Sequence, residues 1–468
     1  MSILLINPPR AIGKGNIWGK IDPILPPLGL AYIASYLEQQ GHKACILDLQ
    51  AEPMDAPQLK SYIRKISPEF IGIGSTTVEI ESALSLARLA RESLPGAKIV
   101  LGGVHPSVMP DEVLSNPQVD FVVRGEGEQT LYELVSNRNN VPQICGLSYK
   151  ENTGIVHNPP RPVIEDLDTM PMPAYHLLPM DKYRPSLGNY KRLPAASMIA
   201  TRGCPGRCTF CYTGIFGKKI RTRSAGKLLE EIKLLQKDYG IKEISFYDDT
   251  FTAFKENVAS FCAGIIKEKI DISWSCMSRV DFVDREILRL MGQAGCHQIG
   301  YGLESASEEI LNNINKPLSQ ALAKETVKLT QQAGIDVRAM FMLGNPGETE
   351  QTIRQTINFA LEIDPDLVIF NIATPFPGTQ MYNWAKDNGY LPDTDWGSFD
   401  LANAVMRLPT VSAGQIRHYY NLAYRRFYLR PLYLWKRLCR IRTLVDMEKN
   451  IRSLVSILFF EAESRQRI

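Results

Sequence analysis

The residues best placed to do chemistry are three cysteines in the run Thr201-Arg-Gly-Cys-Pro-Gly-Arg-Cys-Thr-Phe-Cys-Tyr212. Cys204, Cys208 and Cys211 are spaced C-x3-C-x2-C, with an aromatic residue, Phe210, just before the last. A 4Fe–4S cluster ordinarily takes four thiolates. A tight loop here offers three and no fourth cysteine lies nearby, so one iron would keep a position open for an exogenous ligand. Two plainer readings compete. A structural zinc ion wants a fourth Cys or His at a typical spacing. The six histidines (His42, His105, His157, His176, His297 and His418) all stand away from the loop in sequence. A disulfide would leave one cysteine over and needs an oxidising compartment.

The bulk properties set bounds. At 468 residues the chain is long enough for two or three domains. A hydrophobic content of 44% supports sizeable soluble cores, and a formal net charge of +3 makes no electrostatic case for nucleic acid. Nine cysteines with three clustered fit a reducing cytoplasm. No basic segment followed by a long apolar stretch opens the chain, and no run of about eighteen apolar residues occurs. Neither a signal peptide nor a transmembrane helix is expected.

The elements that must position the cysteines follow a strand–helix alternation. In the first part, apolar runs at 3–6, 44–47, 70–74, 98–101 and 121–123 read as strands, with helices at 28–39, 58–65, 79–93 and 129–134. That pattern predicts a doubly wound parallel sheet. A hairpin at 146–150 and 155–158 follows, then a proline-rich linker from Pro159 to Pro173. The second part alternates strands at 197–201, 243–247, 272–276, 298–302, 337–342 and 367–372 with helices at 225–239, 255–269, 284–294, 319–333 and 348–362. The cysteine loop leaves the first of these six strands, and βα barrels gather their chemistry at the C-terminal strand ends.

The loop and its downstream context resemble the radical S-adenosylmethionine (SAM) family. In that family the amino and carboxylate groups of SAM chelate the open iron, and an electron from the cluster cleaves SAM to a 5′-deoxyadenosyl radical. The resemblance implies a partial (βα)6 barrel and a set of strand-end residues. Asp248 and Asp249 end the second strand, where paired carboxylates suit the SAM amino group or a substrate donor; the plainer reading is a helix N-cap. Arg279 ends the third, where a guanidinium suits the SAM carboxylate; the plainer reading is a surface pair with Asp281 or Asp284. Glu304, in Gly300-Tyr-Gly-Leu-Glu-Ser305, is placed by resemblance against the SAM ribose or amine, with glycines that let backbone approach a ligand. The turns at 341–348 and 374–379 match the family's turns near adenine. Cys262, Cys276 and Cys296 read as small apolar core residues.

The N-terminal part resembles the cobalamin-binding domain that precedes the barrel in one large radical SAM class. The matching pieces are Leu5-Ile-Asn-Pro-Pro9, Gly72-Ile-Gly-Ser-Thr-Thr77, Leu101-Gly-Gly-Val-His-Pro106 and Asp120-Phe-Val-Val-Arg-Gly-Glu-Gly-Glu128, with the helix that includes Leu28. All sit at expected strand ends or beside them, where open α/β sheets bind ligands. The implied cofactor contacts are Asn7, Pro9, Gly74, Ser75, Thr76, Thr77, Gly102, Gly103, His105 and Gly125. The hydroxyls would bond the nucleotide tail or its phosphate, Gly102 and Gly103 would let the tail thread close, and Gly125 with Gly127 would turn near the corrin. One departure stands out. The Asp-x-His-x-x-Gly motif, whose histidine ligates cobalt, is absent: Asp22, Asp48 and Asp55 do not begin it, and His105 lies in a different loop. Many members of the class also lack it. The alternative is a Rossmann-like domain that has lost its ligand.

The expected organisation is α/β: a Rossmann-like cobalamin domain at 1–145, hairpin and linker at 146–190, a radical SAM partial barrel at 191–390, and a mostly helical extension at 391–468. The leading functional expectation is an enzyme using a 4Fe–4S cluster, SAM and cobalamin to methylate an unactivated carbon of a small molecule. An oxidative cyclase of the magnesium-protoporphyrin ester type uses the same parts, and a non-catalytic cobalamin or redox sensor is a third reading. A methylthiotransferase would need a second cluster, and only Cys45 and Cys145 precede the loop. The expected partners are the substrate and an electron donor such as flavodoxin or ferredoxin. From Arg417 to Arg442 arginines interleave with aromatics, and an apolar run follows at 453–460. That stretch fits a helix packing its aromatics on the barrel while arginines snorkel, a peripheral membrane helix, or single-stranded nucleic acid. Its aromatics tilt the expected substrate towards an apolar or ring-bearing molecule.

Overall fold

The computed structural model describes residues 1–10, 23–152, 154–186, 188–392 and 395–439. Asp22, Arg442 and the apolar run at 453–460 lie outside the described residues. Runs rich in Ile, Leu and Val build a first sheet of seven strands: β1 (Ser2–Asn7), β2 (Lys43–Asp48), β3 (Phe70–Gly74), β4 (Lys98–Gly102), β5 (Phe121–Val123), β6 (Leu147–Glu151) and β7 (Gly154–His157). Their order is β2-β1-β3-β4-β5-β6-β7, with the first five parallel and the last two antiparallel. The parallel strands are apolar on both faces because helices cover both. Leu28–Gln39 and Glu128–Ser136 pack on one face, Ala56–Ile66 and Ile80–Ser93 on the other. The hairpin extends this sheet, since Phe121 to Val123 pair with Leu147 to Tyr149. The first structural unit therefore runs past the expected boundary at 145.

The second sheet holds six parallel strands: β8 (Ala195–Met198), then, after the short antiparallel pair β9 (Thr201–Arg202) and β10 (Arg221–Thr222), β11 (Glu243–Phe246), β12 (Ser273–Ser278), β13 (Cys296–Glu304), β14 (Asp336–Leu343) and β15 (Leu367–Ile372). The order β15-β14-β13-β12-β11-β8 leaves β8 and β15 unpaired with each other. This is the expected (βα)6 arrangement with an open seam. The cysteines occupy the connection between β9 and β10, which grips both ends of the loop.

An open seam exposes a strand edge whose backbone groups need partners. The helix Ala413–Tyr428 supplies them. The Tyr424 hydroxyl accepts from the Phe370 amide at 3.1 Å and donates to the Phe370 carbonyl at 3.0 Å. The Tyr428 hydroxyl does the same for Val368, at 3.1 and 2.6 Å. The two rings stack 6.0 Å apart and 9° from parallel. Tyr419, Tyr420 and Phe427 are buried beside them, and Arg430 lies 4.3 Å over Phe427 while pairing with Asp364. The helix Ala413–Tyr428 thus packs its aromatics on the barrel, while Leu432 and Trp435 beyond it are 62% and 66% exposed. Among the described residues no helix is long and apolar enough to cross a membrane.

Replacing Tyr424 or Tyr428 with Phe removes a hydroxyl that serves one amide and one carbonyl at once. Each is expected to cost about 1–3 kcal/mol in urea unfolding. A loss below about 0.5 kcal/mol in both would mean that the hydroxyls do not hold the edge.

Candidate functional site

The cysteine loop is built on a stem tied down by Asp248. One oxygen of this buried carboxylate accepts from the amides of Ala200 (2.8 Å) and Thr201 and from the Thr201 hydroxyl (3.0 Å). Asp248 therefore anchors the turn before β9 through one oxygen, while the other is buried without a hydrogen-bond partner. Burial pushes its pKa up to about 7 against these hydrogen bonds. The loop itself is stitched at Thr209, whose amide bonds the Ile314 carbonyl and whose carbonyl accepts from Met381, and at Arg207, whose carbonyl accepts from Asn315.

The three thiols share one side of the loop. A Cβ placed on Gly206 would lie 3.3 Å from the Cys204 sulfur and 3.9 Å from that of Cys208. A hydrogen bond from Cys211 brings the Cys208 thiol down to about 6, with Lys316 and Arg279 adding to the effect. Burial raises the Cys204 thiol. Among the described residues no three His, Cys, Asp or Glu side chains are grouped tightly enough for a single metal ion. Three thiols on one side of one loop would suit a cluster, in which each thiolate takes its own iron. Cys262, Cys276 and Cys296 are buried in the barrel wall, away from the loop.

Lys316 is the residue that sequence reasoning missed. It follows the short helix Glu308–Asn313, donates to Glu304 at 2.6 Å, and lies 5.9 Å from the centre of the Phe210 ring. Burial works against its charge, but Glu304 and the Cys208 and Cys211 thiols hold its pKa above that of an ordinary lysine. The only signal was a cation ending an apolar helical run, Ile310-Leu-Asn-Asn-Ile-Asn-Lys316, which many surface helices share. Glu304 sits at φ +61°, a left-handed conformation that costs a non-glycine residue energy and marks a constrained site. The space beside Gly302 is filled by this pair: a Cβ there would meet Glu304 at 2.5 Å and Lys316 at 2.8 Å. Arg279 spends Nε and Nη2 on Asp281, at 2.9 and 2.8 Å, and turns Nη1 towards Gly206. Asp249 lies close enough to Cys204 to raise its pKa; its carboxyl opens to solvent, yet the surrounding walls push its own pKa up.

In the first domain, Asn7, Gly74, Gly102 and Gly103 lie at the C-terminal ends of β1, β3 and β4, with Ser75, Thr76, Thr77 and Gly125 just beyond. Pro9 follows β1, two residues past Asn7. Several of these residues are already engaged. Asn7 donates to Asp48 at 2.7 Å. The Ser75 hydroxyl donates to the Thr76 carbonyl, Thr76 to Glu79, and Thr77 meets the His105 ring at 3.3 Å. Their donors are thus spent on the β3 turn rather than held for a nucleotide tail. Gly103, at φ +103°, would bring a Cβ within 2.5 Å of the Ser75 carbonyl, so backbone contact between the β3 and β4 turns is what requires glycine there. His105 is fully buried, 3.7 Å from Glu112 and edge-on to Trp396 at 5.1 Å. It is packed inside the β3–β4 turns rather than on their surface. His42 stands before β2, at the opposite end of the strands, and bonds Ser136. Gly125, at φ +77°, faces open space, and Val104 is 39% exposed. The strand ends therefore leave open surface that would accommodate a large cofactor.

The two domains meet at the loop through buried charges. Glu126 accepts from Arg202 (2.9 Å), from Arg221 (2.9 and 3.1 Å) and from the Ile164 amide (2.7 Å). Glu128 accepts from Arg202 at 2.7 Å. All four side chains are 5% exposed or less. Arg202 stands two residues before Cys204, and Tyr32 of the first domain lies 5.2 Å beneath its guanidinium. On the other side of the loop, Gly378 packs between Val108 and Tyr212.

A six-stranded parallel barrel with a three-cysteine loop at its strand ends, locked to the strand ends of a Rossmann-type sheet, defines a radical SAM architecture with a cobalamin-type domain. The radical SAM superfamily model matches residues 198–360 and the B12 binding domain model residues 17–135. The chain is 36% identical over 464 residues to an uncharacterized methyltransferase of Pyrococcus horikoshii, covering 98% of this chain and 99% of that protein. It is 28% identical over 445 residues to the anaerobic magnesium-protoporphyrin IX monomethyl ester cyclase of Rubrivivax gelatinosus, covering 93% and 78%. Its fold overlays the cobalamin-dependent S-adenosylmethionine radical enzyme OxsB with a TM-score of 0.74 at 17% identity, over 98% of this chain and 72% of that one. The chain belongs to the radical SAM superfamily, in the class whose barrel follows a B12-binding domain.

Two tests address the framework. Glu126→Gln leaves two buried guanidiniums facing one carboxylate and is expected to cost about 3–5 kcal/mol in urea unfolding; an unchanged midpoint would mean that water screens the network. Asp248 and the buried Glu348, which accepts from the Gly344 and Asn345 amides, are both raised to about 7 by burial. Between their ordinary values and about 7, the unfolded chain ionises these groups while the folded chain keeps them protonated. Stability therefore falls as pH rises through that window. Asp248→Asn is expected to flatten the dependence of Tm on pH from about 4 to 7; a slope identical to wild type would place that titration elsewhere.

Proposed function

We propose that this chain is a cobalamin-dependent radical SAM enzyme that reductively cleaves SAM and methylates an unactivated carbon of a small-molecule substrate. The observation that carries this reading is the ion network that joins the cysteine loop to the strand ends of the B12-binding domain. When bound, the cluster and SAM supply a 5′-deoxyadenosyl radical and cobalamin supplies the methyl group. Cys204, Cys208 and Cys211 hold the cluster, and Phe210 and Lys316 wall it, with Lys316 balancing thiolate charge. Asp249, the Nη1 of Arg279 and Glu304 stand around the same point and orient SAM. Asn7, Pro9, Gly74, Gly102, Gly103 and Gly125 shape the cobalamin surface. A one-electron donor such as flavodoxin or ferredoxin supplies the electron.

The similarity to the cyclase named above supports a second reading, oxidative ring closure, which uses the same residues and differs in product. Anaerobically reconstituted protein with cobalamin, a reductant and SAM is expected to form 5′-deoxyadenosine and to retain near-stoichiometric cobalamin after desalting. Cys208→Ala is expected to abolish both the cluster absorbance and deoxyadenosine. Cleavage retained in that variant would end the radical SAM reading, and cleavage without bound cobalamin would remove the methylation step.

A further inference from the structure

The buried arginines near the domain junction (Arg202, Arg221 and Arg223) all face carboxylates. Arg338 does not. On β14, Val337, Ala339 and Phe341 are buried against the helices, while Arg338 and Met340 alternate on the opposite, lumen side. The register sets Arg338 beside Gly300 of β13, and Gly300 beside Met277 of β12. The guanidinium fills the space that Gly300 leaves: a Cβ there would lie 3.1 Å from Nη2 and 3.2 Å from Nε. Nη2 reaches only a thioether, Met277 Sδ, at 2.9 Å, and Nε is buried with no partner. The groups that act on its charge are Tyr247 and Cys276, and burial draws its pKa down. Among the described residues no carboxylate pairs with this guanidinium, so its desolvation is not offset by an ion pair.

Tyr247 completes the arrangement. It ends β11, stays 44% exposed, and feels both Arg338 and Arg10 of the first domain. Its phenol is a hydrogen-bond donor within electrostatic reach of Arg338. Arg338 lies level with Met277, two residues below Arg279 on β12, and level with Gly300, four residues below Glu304 on β13. At ~3.3 Å per residue that is about 7–13 Å beneath the groups around the cysteine loop, below the level at which SAM would meet the cluster.

We propose that Arg338 and Tyr247 form a recognition point for an anionic group, a carboxylate or phosphoryl group, on the small molecule that this enzyme modifies. The inference rests on the function proposed above and narrows its substrate class: an anionic end in the lumen, against Met277 and Met340, and the reacting carbon nearer the cysteine loop. An apolar or ring-bearing body remains compatible, provided that it carries an anion.

The test uses cofactor-loaded protein and three probes: phenylacetate, inorganic pyrophosphate and the neutral phenylacetamide. Calorimetric titration is expected to show wild type binding at least one anion and not the amide, and the stronger anion identifies carboxylate or phosphoryl as the source. Arg338→Met should weaken that binding at least tenfold, Arg338→Lys should keep part of it, and SAM affinity should stay within about twofold. Without ligand, Arg338→Met should melt at the same temperature as wild type or higher, because an uncompensated cation has gone. Anion binding independent of Arg338, or none at all, overturns the proposal. Loss of SAM affinity in Arg338→Met would assign the residue to the cofactor, and a lower melting temperature with lost iron would make it structural. Either result also overturns it. Deoxyadenosine formation by wild type is scored in parallel, so failure of the functional reading is seen separately from failure of the anion site.

Discussion

Two arginines and two glutamates, sealed from water between the domains, set the geometry on which the remaining structure depends. Arg202 and Arg221 belong to the strand pair that grips the cysteine loop; Glu126 and Glu128 lie just beyond β5 of the first sheet. Burying four charges is expensive, and an apolar junction of the same size would often be more stable. What the charges contribute is direction. Each guanidinium has a fixed fork of donors, and the Ile164 amide uses an oxygen of Glu126 that remains. An apolar junction could slide; this one has a single register, and it brings the strand ends of both sheets to the same loop.

The barrel solves a different problem. Six strands leave a seam, which gives access to the lumen but exposes an edge. Tyr424 and Tyr428 satisfy that edge from a helix, two hydroxyls replacing a missing strand's backbone groups. The cost of access is thereby met by residues far along the chain, and Tyr419, Tyr420, Tyr424 and Phe427 of the basic–aromatic stretch are used inside the protein, while Trp435 stays exposed.

Within the site, polar groups divide into those that hold the frame and those left facing the cleft. Asp248 spends one oxygen on the turn before β9, His105 is buried against the β3 turn, and Asp281 takes most of Arg279. Lys316 with Glu304, Asp249 and Arg338 are charges whose positions make little sense for stability alone. Glu304 is held in a left-handed conformation, and Arg338 has no carboxylate partner among the described residues. Gly300 and Gly302 give up their side-chain volume to these charged groups, so the glycines that suggested backbone approach to a ligand instead make room for side chains that address one.

How far the sequence reads can be stated residue by residue. Strand–helix alternation was enough for the two α/β units and the six barrel strands, and the cysteine spacing for a single loop that carries three thiols, because hydrophobic period and local spacing are properties of short segments. The helices 28–39 and 225–239 and the strand 367–372 have in the structure the bounds read from sequence. Lys316 was not legible, because a cation becomes a site residue only when a distant loop covers it. Nor were the partners of Asp248, His105 and Arg279, since a carboxylate at a strand end looks the same whether it meets a ligand or the backbone of another turn. The junction was half legible: Gly125 and Gly127 marked a turn, but that Glu126 and Glu128 between and after them reach Arg202 and Arg221 depends on the relative placement of two domains. Sequence by itself determined which elements form and which cysteines can hold a cluster. Only tertiary structure decided which polar groups were consumed by folding and which were left over, because hydrogen-bond satisfaction is settled by contacts across long separations in the chain.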